Sequence, residues 1–86
     1  MSQDEIDIRT DELTDTVQVL AGAFPHLKAD HRPNGADWYR WLIYNDMTSA
    51  VIGVVRLDGG AEKSLNLLET KVLLRSRAMD LLREAA

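Results

Sequence analysis

Two runs of apolar residues in the middle of the chain give the clearest pattern. Residues 38–44 and 49–57 are rich in aromatic and β-branched side chains, and these residue types favour strands. The four residues between the runs, 45–48, include asparagine and aspartate, which are common in turns. The two runs therefore predict an antiparallel β-hairpin.

A weaker strand pattern lies near the N-terminus. Ile6 and Ile8 alternate with charged residues, as expected for a short strand with one buried face. Residues 1–4, which precede them, are predicted to be disordered. The chain is thus predicted to begin with a strand.

A first helix is predicted to follow, over about residues 11–23. Thr10 is placed to cap its N-terminus, and Pro25 disfavours continuation beyond its C-terminus. Its apolar residues recur at helical spacing: Leu13, Val17, Leu20 and Phe24.

Residues 25–37 contain proline, asparagine and glycine and predict a long loop. After the hairpin, residues 58–60 are predicted to form a turn, and a helical pattern runs from about Ala61 almost to the C-terminus. The predicted element order is β-α-β-β-α. We therefore expect a single α+β domain over residues 1–86, with a three-stranded, mostly antiparallel sheet packed with two helices.

The C-terminal helix is apolar over about half of its circumference, which is wide for a surface helix. One stripe comprises Leu65, Leu68, Val72, Met79 and Leu82. The second comprises Leu67, Leu74, Ala78, Leu81 and Ala85. Lys71 and Arg75 lie between the stripes. Either both stripes belong to the core, or one packs on the sheet while the other contacts a second chain.

Both faces of the predicted hairpin are also apolar. If Tyr44 lies opposite Ser49, one face holds Trp38, Arg40, Leu42, Tyr44, Val51, Gly53 and Val55. Either one helix covers each face, or both helices cover one face and the aromatic face meets a partner. The predicted interface residues are Trp38, Arg40, Tyr44, Leu67, Lys71, Leu74, Arg75, Ala78 and Leu81.

Composition narrows the class of protein. The chain is 45% hydrophobic, has no cysteine and carries a net charge of −4, which predicts a folded, acidic, cytoplasmic protein without disulfides or thiolate metal sites. No apolar run is long enough to span a membrane. Arg32, Arg40 and Arg56 lie near aromatic residues, but the negative net charge and scattered bases count against nucleic-acid binding.

Few residues indicate catalytic or cofactor chemistry. His26, Asp30 and His31 are close in sequence, but their spacing matches no strong metal motif. Residues 58–60 could present backbone amides to phosphate, yet they lack a full dinucleotide or P-loop motif. We therefore predict no catalytic residue, metal or cofactor.

One family resemblance is present over residues 6–57. Ile8-Arg9, Asp11-Glu12-Leu13, Trp41-Leu42-Ile43 and Val51-Ile52-Gly53 resemble the first half of GCN5-related N-acetyltransferases. The resemblance implies an acetyl-coenzyme A enzyme. That family's cofactor site needs a later glycine-rich turn, and residues 62–75 contain no glycine.

The sequence therefore favours a non-enzymatic interaction or regulatory module, expected to form a homodimer through its C-terminal helix. One alternative is a small-molecule-binding domain or an acetyltransferase-like fragment, with a pocket lined by Trp38, Arg40, Trp41 and Tyr44. Another is a viral or accessory protein that inhibits or assembles with a partner.

Overall fold

The structure, a computed structural model, describes residues 3–35, 38–57 and 64–85. Its elements are α1 (Gln3–Gly22), β1 (Leu27–His31), β2 (Arg40–Asn45), β3 (Val51–Arg56) and α2 (Leu67–Ala85). The three strands form one antiparallel sheet in the order β1-β2-β3. The predicted α+β class, with two helices and three strands, is confirmed, whereas the order of elements is α-β-β-β-α.

The predicted first strand is wrong, because the chain before Thr10 belongs to α1. Asp4 and Glu5 lie in the first turn of this helix, where negative charge interacts favourably with the helix dipole. Thr10 is buried within the helix rather than capping it. Alternation over only four residues therefore did not distinguish a strand from a helix. Residues 1 and 2 lie outside the described range.

The predicted loop at 25–37 contains β1, which is an edge strand of the sheet. His26 adopts a positive φ of 63° between the end of α1 and the strand. Ala29 is buried towards the helices, whereas the neighbouring Lys28 is exposed. This strand carries charged residues on its outward side. The loop prediction was wrong at Leu27–His31, because these residues pair with β2 as a strand. Residues 36 and 37 are not described.

The predicted hairpin is confirmed as β2 and β3. Asn45 accepts hydrogen bonds from the backbone amides of Met47 and Thr48 through its side-chain oxygen, at 2.9 and 3.1 Å. These bonds close the turn. A β-bulge interrupts the ladder between Ile43 and Tyr44.

The bulge changes which residues share a face. Beyond it, Val55 pairs with Trp41 and Gly53 pairs with Ile43. Val55 and Gly53 therefore lie on the face opposite to Arg40, contrary to the uninterrupted register that the sequence suggested.

Both helices pack on the same face of the sheet. Trp41, Ile43 and Val55 point from the strands into the core and are at most 2% exposed. The helices contribute Leu13, Val17, Ala21, Leu74, Ala78 and Leu82. The molecule is therefore two-layered, and no described helix covers the opposite sheet face.

Hydrogen bonds from indole groups attach the sheet to α1. The Nε1–H of Trp41 donates to Thr14 Oγ1 at 2.8 Å, and that of Trp38 donates to Thr10 Oγ1 at 2.9 Å. Trp41 is fully buried, and a buried indole N–H needs such an acceptor. The two threonines are one helical turn apart, so one face of α1 serves both tryptophans.

Each helix also donates a hydrogen bond to an edge strand. Gln18 Nε2 donates to the carbonyl of Ala29 in β1 at 3.1 Å. Arg77 Nη1 donates to the carbonyl of Arg56 in β3 at 2.9 Å. These bonds tie α1 and α2 to opposite edges of the sheet.

A capping box begins α2. The amide of Glu69 donates to Asn66 Oδ1 at 2.8 Å, and the amide of Asn66 donates to Glu69 Oε1 at 3.4 Å. The helix therefore begins at Leu67, later than the predicted Ala61; residues 58–63 are not described. Neither α1 nor α2 combines the length and the apolar character that crossing a membrane requires.

Candidate interaction surface

The buried side of α2 repeats every four residues and comprises Thr70, Leu74, Ala78 and Leu82. We call these residues the buried stripe. Leu74 and Ala78 are predicted interface residues, but both are fully buried within one chain because they pack against α1 and the sheet. Their side chains have no surface to offer a second molecule, so this part of the predicted interface is corrected.

The exposed apolar residues of α2, Leu68 and Val72, belong instead to the first of the two stripes predicted from the sequence. Leu68 is 72% exposed and Val72 is 61% exposed. Val19 of α1, which is 74% exposed, lines the same groove between the two helices. We call the surface formed by Val19, Leu68 and Val72 the helical groove. Val19 lies off the apolar stripe of α1, and the sequence interpretation missed it.

The walls of the helical groove carry opposite charges. Glu12 and Asp15 line it from α1, and Lys71 and Arg75 line it from α2. Lys71 Nζ and Glu12 Oε2 form an ion pair at 2.9 Å. Asp15 and Arg75 are exposed, and neither forms an ion pair with another described residue. Lys71 and Arg75, which are both predicted interface residues, therefore line the groove.

The other predicted residues of α2 are intermediate. Leu67 and Leu81 are half-buried and pack against the core. Leu81 also lies close to Gly53 of β3: a Cβ atom added there would come within 2.6 Å of its Cδ1. Both leucines therefore contribute to packing within the chain.

The predicted residues of the hairpin do not form one site. Trp38 lies on the helix side, bonded to Thr10 and in edge contact with the ring of His31 at 5.0 Å. Arg40 and Tyr44 lie on the open side, and Trp41 is fully buried. The aromatic pocket considered from sequence is not assembled, because its four residues point to opposite faces.

The three candidate metal ligands, His26, Asp30 and His31, each contact a different group. His31 Nε2 lies 2.7 Å from the carbonyl oxygen of Trp38, and His26 Nδ1 lies 3.8 Å from a carboxylate oxygen of Asp46. Asp30 pairs with Arg32 at 3.1 Å. In the described part of the chain, no group of three histidine, cysteine or acidic residues is arranged to hold a metal ion. The proposed phosphate turn at 58–60 lies outside the described residues.

Comparison with protein-family models, curated proteins and solved structures found no match to this chain. The resemblance to N-acetyltransferases implied a strand before the first helix, and α1 occupies that segment instead. Inference about function therefore depends on the surfaces themselves. Among the surfaces of the described residues, the helical groove brings together three aliphatic side chains that are each more than half exposed, between complementary charges.

Proposed function

We propose that this chain is a non-enzymatic protein-interaction module that forms a homodimer through the outer face of its two helices. The observation that carries the proposal is the helical groove. There, three exposed aliphatic side chains lie between acidic residues of α1 and basic residues of α2.

The apolar centre supplies a driving force for association. Val19, Leu68 and Val72 are all more than half exposed in the single chain. Removing apolar surface from water contributes about 25 cal/mol per Å², and a chain of this length has limited capacity to bury such surface alone. A second copy would cover the three side chains simultaneously.

The charges favour one dimer geometry. A two-fold axis parallel to the helices would set α1 of one copy on α2 of the other. This axis preserves position along the helices, so Asp15 of one chain would meet Arg75 of its partner. An axis in the interface plane and perpendicular to the helices would place α1 on α1, so the acidic residues of the two copies would face each other. Matching of opposite charges across the interface therefore favours the two-fold axis parallel to the helices.

The first test is light scattering on a size-exclusion column across a wide dilution series. The wild-type chain should show twice its monomer mass of 9.7 kDa and dissociate on dilution. Val72→Asp should shift it to monomer by placing a charge in the apolar centre. The matched control is Met47→Asp, because Met47 is 71% exposed but lies in the hairpin turn; it should leave the dimer unchanged.

A charge-swap series tests the geometry. Arg75→Asp and Asp15→Arg should each weaken the dimer, because each places like charges opposite one another. The double variant restores opposite signs and should recover most of the lost affinity. A wild-type monomer at every concentration would contradict the homodimer, whereas a dimer insensitive to the charge swaps would contradict only the proposed axis.

A further inference from the structure

No further inference is drawn: the strongest candidate, the open face of the sheet with the exposed aliphatic side chains of Val51 and Val54, is an apolar face that neither described helix covers, and nothing in the structure shows what covers it.

Discussion

The two sides of α2 use similar aliphatic residues in opposite ways. Leu74 and Leu82 of the buried stripe are inaccessible to water, whereas Leu68 and Val72 line the helical groove. The difference lies in their neighbours. Ala78 leaves room within the buried stripe for close packing, and Thr70 satisfies its hydroxyl internally.

The exposed side is instead interrupted by Lys71 and Arg75. Long basic side chains can cover apolar neighbours only partly, because their charged ends must reach water or an acidic partner. Apolar content alone therefore does not reveal which side of a helix is core. The small and charged residues within each stripe carry that information.

The largest expected effect separates these two sides directly. Leu74→Ala should lower the free energy of unfolding by about 2–5 kcal/mol, because it opens a cavity in the core. In the monomeric chain, Leu68→Ala, the matched change on the exposed side, should alter it by no more than about 0.5 kcal/mol. Urea denaturation of both variants in the monomeric Val72→Asp background measures the difference without a contribution from dimer dissociation, and equal losses would contradict the assignment of the two sides.

The next effect concerns the polar member of the buried stripe. Thr70 Oγ1 donates to the carbonyl of Asn66 and accepts from Arg9 Nη2, both at 2.8 Å. Thr70→Val keeps the shape but removes both bonds, and should reduce the free energy of unfolding by about 1–3 kcal/mol. Ser76→Ala, at an exposed position of the same helix, is the control and should not destabilise the fold, because alanine favours a helix more than serine does.

A comparable or smaller loss is expected where α2 meets β3. Gly53→Ala would place a methyl group 2.6 Å from Leu81 Cδ1, and overpacking of this kind costs about 1–3 kcal/mol. Leu81 is flexible enough to place the effect near the lower limit. Thermal denaturation should show partial relief in the double variant with Leu81→Ala. Gly22→Ala, with no atom within 4 Å of its added Cβ, should not destabilise the fold.

The smallest effect is expected from salt. Because Asp15 and Arg75 are exposed, dissolved ions should screen the proposed contact between Asp15 of one chain and Arg75 of its partner. Raising sodium chloride from 0.05 to 0.5 M should increase the dimer dissociation constant by less than about tenfold, as measured by analytical ultracentrifugation. A dimer that becomes tighter in salt would show that apolar contact, without charge pairing, controls association.

The hairpin and the fold class could be predicted because aromatic and β-branched runs identify strands locally. The edge strand β1 could not, since Lys28 and Asp30 give it the composition of a loop. The sequence pattern that could have indicated this strand is the alternation of Leu27, Ala29 and His31, which face the helices, with the charged residues between them. In a strand of only five residues this alternation is a weak indication.

The candidate surface was only partly predictable. The sequence identified two stripes on α2 and the basic residues between them, but their burial depends on where α1 packs. It could not reveal the β-bulge at Ile43 and Tyr44, which moves Val55 to the helix side. Both features arise from contacts between distant segments, so local patterns carry little information about them.

The hydrogen bonds from Gln18 and Arg77 to the two edge strands also bear on how the protein avoids aggregation. A three-stranded sheet has two edges, and unpaired backbone groups there can recruit strands from other molecules into fibrils. An incoming strand would have to displace a side-chain donor from the carbonyl of Ala29 on one edge or of Arg56 on the other. The side chains of the two helices therefore protect a backbone carbonyl on each edge of the sheet.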